Sequence, residues 1–201
     1  EYTPEHHLLQ HSNPLAVGPY DTCPYCMEHK VQQAEAMKGA KKRILEVAAQ
    51  FAALTGREYG LFEAYRMEDA EIALVLIGSS AGTAKVTVDA LRARGIPAGL
   101  VKIRVFRPFP AEELAQTLKN VKALAILDKA ESFSAQGGPL FAEVRAALYD
   151  LEPRPRTVGY VYGLGGRDIT PAHFASVFAR LEAIAAGGEL GPVYSHLGQR
   201  G

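Results

Sequence analysis

The stretch IALVLIG, residues 72–78, is apolar at every position up to its glycine. A strand with one wet face alternates polar and apolar residues. A continuous run of this kind suits a strand covered on both sides, as in a parallel sheet between two helix layers. ALAILD (123–128) reads the same way, and AGLVKIRVF (98–106) and TVGYVYG (157–163) add two further strands. LFEAYR (61–66) is a shorter strand ahead of them. Helical patterns fall between: TAKVTVDALRAR (83–94), AEELAQTLKN (111–120), GPLFAEVRAALYD (138–150) and PAHFASVFARLEAIAA (171–186). Glu112 and Glu113 favour the first turn of the second of these, Pro139 suits the start of the third, and Thr170 is the N-cap of the last. Strands alternating with helices imply a mainly parallel sheet in a three-layer α/β/α domain.

Upstream, Val31, Ala34, Met37, Ile44, Ala48 and Phe51 recur at helical spacing over 27–54, with Gly56 as a C-cap. Gly39 is a point where this segment breaks in two. Residues 1–26 are aperiodic and rich in Pro, His and Tyr, and read as a linker. Residues 187–201 have no amphipathic period and read as a loose tail. The expected organisation is therefore a linker (1–26), an α/β domain with a leading long helical segment (27–186) and a tail (187–201).

The chain has 201 residues, 48% hydrophobic, with 22 basic and 22 acidic residues. That size and composition suit one compact α/β domain with room for an appendage. The charge balance argues against a nucleic-acid or membrane-surface binder. No apolar run reaches the roughly 18 residues of a spanning helix, and no signal-peptide pattern opens the chain. Two cysteines make no disulfide framework, so the expected compartment is the cytoplasm. EYTPEHHLLQ at the front lacks an initiator Met and reads as the start of a fragment or processed chain.

Several stretches are able to carry chemistry. GSSAGTAK (78–85) joins a buried strand to a helix, with Ser79, Ser80 and Thr83 as caps or anion contacts. Its spacing is neither GxGxxG nor GxxxxGK[ST], so an ordinary strand–helix turn is the plainer reading. Arg104 and Arg107 in RVFRPFP end a strand and suit either a clamp for an anion or, as the favoured reading, Glu partners across an interface. Asp128, Lys129 and Glu131 in DKAESFSAQGGP are acid–base candidates, or simply solvated and paired charges. Cys23, Cys26 and His29 in CPYCMEH, with His6, His7 and His11 upstream, offer a zinc set without regular spacing for its second half; two reduced thiols in a linker is the alternative. In VYGLGGRDIT (161–170) the helix starts only near Pro171, too late for glycines that open a helix onto pyrophosphate. The stretch reads as a turn requiring positive φ that displays Arg167 and Asp168, with Arg167 meeting a carboxylate, either Asp168 or one in a neighbouring domain.

NPLAVGP, EHKVQQAEAMKGAKKRILEVAAQF, GREYGLFEAYRMEDAE, GSSAGTAK, RPFP, LDKAESFSAQGGPL and GLGGRDIT, taken in order, resemble the alpha chain (or its fused equivalent) of pyruvate:ferredoxin and related 2-oxoacid:ferredoxin oxidoreductases. The resemblance runs from about Leu8 to Leu181. It implies a domain similar to the C-terminal domain of transketolase, with five strands in the order 1-3-2-4-5 and the first antiparallel. LFEAYR is then the antiparallel strand, and IALVLIG is central. The switch point lies between Gly78–Thr83 and Asp128–Gly138. The family's first domain, with its substrate-facing residues, would precede residue 1, and the CPYC cysteines are not a family hallmark. The parent enzyme would use thiamine diphosphate, Mg and iron–sulfur clusters, with ferredoxin and coenzyme A as partners. The resemblance implies that this chain binds none of these cofactors alone. It would pack the upstream catalytic domain against other subunits. An independent anion- or nucleotide-binding regulatory module is the alternative.

Overall fold

The computed structural model describes residues 11–12, 18, 23–133 and 136–200. Most of the expected linker, with His6 and His7, lies outside them. The chain divides into a unit up to Ala40 and a unit from Lys41 onward.

The first helix, α1, spans Cys26–Thr55. It is continuous, which corrects the expected break at Gly39. One interior glycine costs about 1 kcal/mol relative to alanine, and the Ala, Lys, Arg, Glu and Leu residues around it are strong helix formers. Gly56 closes the helix at φ +69, its N–H on the Ala52 carbonyl at 2.8 Å.

The strands are β1 (Phe62–Tyr65), β2 (Ile72–Ile77), β3 (Ala98–Ile103), β4 (Ala123–Asp128), β5 (Arg156–Tyr162) and β6 (Tyr194–Leu197). They form one sheet in the order β1-β3-β2-β4-β5-β6. β1 is antiparallel to β3, and every other pair is parallel. The expected order and the antiparallel first strand are both present. The count differs: the sheet has a sixth strand, drawn from the tail expected to be loose.

The helices are α2 (Ser80–Arg92), α3 (Ala111–Leu118), α4 (Pro139–Leu148) and α5 (Pro171–Ala185). α2 and α5 cover one face of the sheet, meeting Leu74, Leu76, Ala125, Leu127, Tyr160 and Tyr162. α3 and α4 cover the other, meeting Ala73, Val75, Leu124 and Ile126. Residues 72–76 are all buried because the alternating side chains each find a helix layer. α2 starts three residues earlier than the expected Thr83. Gly78 turns the chain at φ +92, and the small Ser80 and Ala81 then enter the helix buried against the sheet.

β6 is tied down from several elements. Arg180 on α5 donates to the Tyr160 hydroxyl at 2.8 Å and to the carbonyls of Leu190 and Pro192 at 2.7 and 2.5 Å. Arg156 donates to the carbonyls of Ile184 and Gly188 at 3.1 and 2.6 Å. These bonds, all but one to main-chain oxygens, order a segment whose own sequence has little periodicity.

Candidate functional site

The parallel strands β2, β4, β5 and β6 present their carboxyl ends at one edge of the sheet, where ligands bind in open α/β folds. Side-chain parity decides what each strand places there. Asp128 ends β4 in step with Leu124 and Ile126, on the face covered by α4. Its carboxylate accepts the N–H groups of Leu140 at 3.0 Å and Phe141 at 2.9 Å. Gly138 is required where it stands, because a Cβ there would collide with that carboxylate. Burial pushes the Asp128 carboxyl above its ordinary value, against the pull of the two amides. The anion at this helix N-terminus is the chain's own carboxylate. Asp128 thus anchors the start of α4.

Tyr162 ends β5 on the opposite face, beneath the start of α2. Its ring is buried, and its hydroxyl has no hydrogen-bond partner among the described residues. The Ser80 hydroxyl approaches it without reaching hydrogen-bond geometry. Burial raises the phenol above its ordinary value, and Asp128 adds to this, while Ser80 opposes. Lys129 lies over the same ring with Nζ 5.5 Å from its centre. Ser79 occupies the N-cap position of α2 but makes no capping bond through its side chain, and Thr83 is half-buried in the first turn. Ser80, Lys129 and Tyr162 therefore gather at one point, whereas Ser79 is exposed.

The two arginines of RVFRPFP find glutamate partners within the fold. Arg104 pairs with Glu63 at 3.0 Å and covers the Tyr59 ring. Lys85 also pairs with Glu63, and it is the main cause of that carboxyl lying below its ordinary value. Arg107 pairs with Glu143 on α4 at 2.6 Å and stacks on Phe106.

GLGGRD is the turn the sequence implies. Gly163, Gly165 and Gly166 all have positive φ, at +66, +64 and +80. A short 3-10 turn covers Leu164–Gly166, and α5 follows only after Thr170, whose N–H donates to His173 Nδ1 at 3.0 Å. Arg167 donates to the Gly198 carbonyl at 2.8 Å and forms no ion pair with a described residue, Asp168 included. Asp168 is exposed beside it.

Sequence reasoning missed the other side of this edge. Glu131 accepts the Tyr194 hydroxyl at 2.9 Å and meets His196 Nε2 at 2.7 Å. His196 first and Tyr194 second hold the Glu131 carboxyl below its ordinary range. Tyr194 is pushed up to about 12, by burial first and then by Glu131. The signal was the alternation in VYSHL, bounded by Gly-Pro before and Gly after, which is a short strand pattern.

At the other end of the chain, Cys23 and Cys26 carry free thiols. Among the described residues, no group of three or more His, Cys, Asp or Glu side chains is placed to hold a metal. His11 is described with Cys23, Cys26 and His29, while His6 and His7 lie outside the described residues.

Residues 70–174 match the family model for pyruvate:ferredoxin oxidoreductase core domain II. The pyruvate synthase subunit PorA of Thermotoga maritima is 46% identical over 178 residues, covering 89% of this chain and 45% of that protein. The ketoisovalerate oxidoreductase subunit VorA of Pyrococcus horikoshii is 38% identical, covering 93% of this chain and 48% of that protein. The chain thus spans about half the length of the curated relatives it matches. A solved 2-oxoglutarate:ferredoxin oxidoreductase from Magnetococcus marinus aligns at a TM-score of 0.45 and 20% identity, over 68% of this chain and 21% of that one. With the model match covering more than half of its residues, the chain belongs to the pyruvate:ferredoxin oxidoreductase core domain II family.

Proposed function

We propose that this chain is a structural and assembly domain of a cytoplasmic, thiamine-diphosphate-dependent 2-oxoacid:ferredoxin oxidoreductase. The whole enzyme makes acyl-CoA, CO2 and reduced ferredoxin. Pyruvate is the proposed 2-oxoacid, since the relatives at 46% and 43% identity are pyruvate synthase subunits. Residues 27–186, with β6 added to the sheet, are the domain that follows the linker 1–26.

The observation that carries this reading is α1. It is 30 residues long and has no buried residue. Met27, Val31 and Met37 are exposed in its first part, and Leu45, Val47, Phe51 and Leu54 in its second, Leu54 at 86%. Helices in proteins owe most of their stability to a packed apolar face, and exposed apolar patches mark interaction surfaces. A neighbouring domain or subunit covering α1 accounts for both.

The edge residues do not fit the parent's cofactors. Asp128 is the buried acid at the sheet edge, and its oxygens are already on α4 amides. Two thiols are too few for the cysteine sets of iron–sulfur clusters.

Calorimetric titration with thiamine diphosphate and Mg, together with pyruvate-dependent dye reduction, tests the reading on the isolated chain. Neither binding nor turnover is expected, and micromolar binding or measurable turnover overturns it. In cells that also express the partner subunits, a Leu45→Glu, Leu54→Glu double variant should keep its melting temperature but stop co-purifying with them.

A further inference from the structure

Two cavities open at the carboxyl ends of β5 and β6. One, of about 330 Å3, is lined by Val161, Tyr162, Leu164 and Leu197 together with Arg167 and His196. The other, of about 500 Å3, is lined by Arg167, Asp168, His173 and Arg200 among others. Both include Leu164, Arg167 and Gly198 in their walls. Arg167 therefore stands between a mainly apolar chamber and a polar one.

The charges in these walls are unevenly satisfied. His196 is already held by Glu131. Arg167 gives one N–H to the Gly198 carbonyl, which leaves the rest of its five donors for a ligand. Arg200 forms no hydrogen bond or ion pair with a described residue. Two arginines and a single carboxylate, Asp168, thus line the second cavity. A guanidinium fork matches a carboxylate or phosphate edge in two parallel hydrogen bonds. An apolar chamber with a few converging polar groups is the usual form of a small-molecule site.

We propose that this cleft binds a small organic anion made of an acidic head group on an apolar stem. The head sits on Arg167 and Arg200, and the stem lies over Tyr162, Leu164 and Leu197. Arginine side chains make the site, not the amides of Gly165 and Gly166. The carboxylate that Arg167 lacks within the fold comes from the ligand. The site goes beyond the assembly role and does not depend on it, since the isolated chain carries every residue named.

Backbone NMR of the full chain titrated with hexanoate, hexanol, acetate and inorganic phosphate tests this. Hexanoate is expected to shift the amides of Gly163–Asp168 and His196–Arg200 with a millimolar Kd. The other three should bind at least about tenfold more weakly, each lacking the head, the stem or both in the right combination. Arg167→Gln and Arg200→Gln should each weaken hexanoate by about tenfold. Arg200 is exposed and forms no hydrogen bond or ion pair with a described residue, so its variant stays folded even if loss of Arg167 loosens the tail. No response to hexanoate at tens of millimolar overturns the proposal. So does equal binding of hexanol or phosphate, or an Arg200→Gln variant that binds hexanoate unchanged.

Discussion

The Asp128 carboxylate reaches across the turn between β4 and α4 and accepts the main-chain N–H groups of Leu140 and Phe141 at 3.0 and 2.9 Å. A helix N-terminus has unpaired N–H groups and a partial positive charge, and a buried one has to be satisfied from within. Asp128→Ala leaves two buried donors without partners and should cost about 2–4 kcal/mol in denaturant unfolding. Asp128→Asn keeps one acceptor and should cost less. The pH dependence has a definite sign. A carboxyl raised above its ordinary 3.8 binds its proton more tightly in the folded chain. Its contribution is therefore greatest in acid and is lost as pH climbs from 3.8 through the raised value. The Asn variant should lack that component when stability is followed against pH.

Glu131 works in the opposite direction. It holds Tyr194 and His196, and so fastens β6 to the loop after β4. Its carboxyl is lowered from 4.5, so the stabilisation is present above 4.5 and is lost as pH falls through the lowered folded value. Tyr194, raised to about 12, stays neutral and donating well above the ordinary tyrosine range. Hydrogen exchange corrected for intrinsic rates should show β6 amides protected at neutral pH and opening in acid before the central strands do. Glu131→Gln should open them at neutral pH as well. Equal protection in variant and parent would mean that Arg180 and Arg156 hold β6 by themselves.

The central sheet is legible because its residues carry a strong and local signal. Ile72 to Leu76 are apolar and all buried, since each side chain meets a helix layer. The Gly163, Gly165 and Gly166 turn is legible too, because the helix start at Pro171 lies too far downstream for a phosphate cradle. The roles of Asp128 and β6 are not local. Asp128 becomes an anchor only because β4 parity aims it at the face where α4 begins, and charge alone cannot show that. β6 has four residues, and distant arginines and Glu131 supply its order. For Arg104 and Arg107 the sequence shows that a glutamate partner is apt but not that Glu63 and Glu143 lie within the same fold.

Gly159 sits in the middle of β5, with the Phe141 ring of α4 lying on it. A Cβ there would approach that ring to 2.7 Å, and Tyr194 on β6 to 3.1 Å. The α4 face of the sheet is close-packed, so the ring cannot withdraw without moving the helix. Gly159→Ala should cost about 1–3 kcal/mol, as overpacking does, and Gly159→Val more. Phe141→Leu combined with Gly159→Ala should recover part of the loss, because the two changes act on one contact. Additive losses in the double variant would show that the glycine serves the strand backbone instead.

Gly39 gives a contrasting test, in which adding the same methyl group should help. It lies inside α1 and is exposed, and a Cβ at its position meets nothing within 4 Å. Its φ is not in the left-handed region, so alanine fits the existing backbone. Glycine inside a helix costs about 1 kcal/mol relative to alanine through backbone entropy. Gly39→Ala should therefore slow amide exchange across α1 by about fivefold, that free energy expressed as a ratio. The melting temperature of the α/β sheet should not change, because the gain is confined to the helix. If the glycine is instead a hinge that α1 needs in order to meet a partner subunit, the same variant will be a better helix and a poorer partner. Co-purification with the partner subunits reads out the second property independently of the first. Faster exchange in α1 on Gly39→Ala would contradict the continuous helix from Cys26 to Thr55.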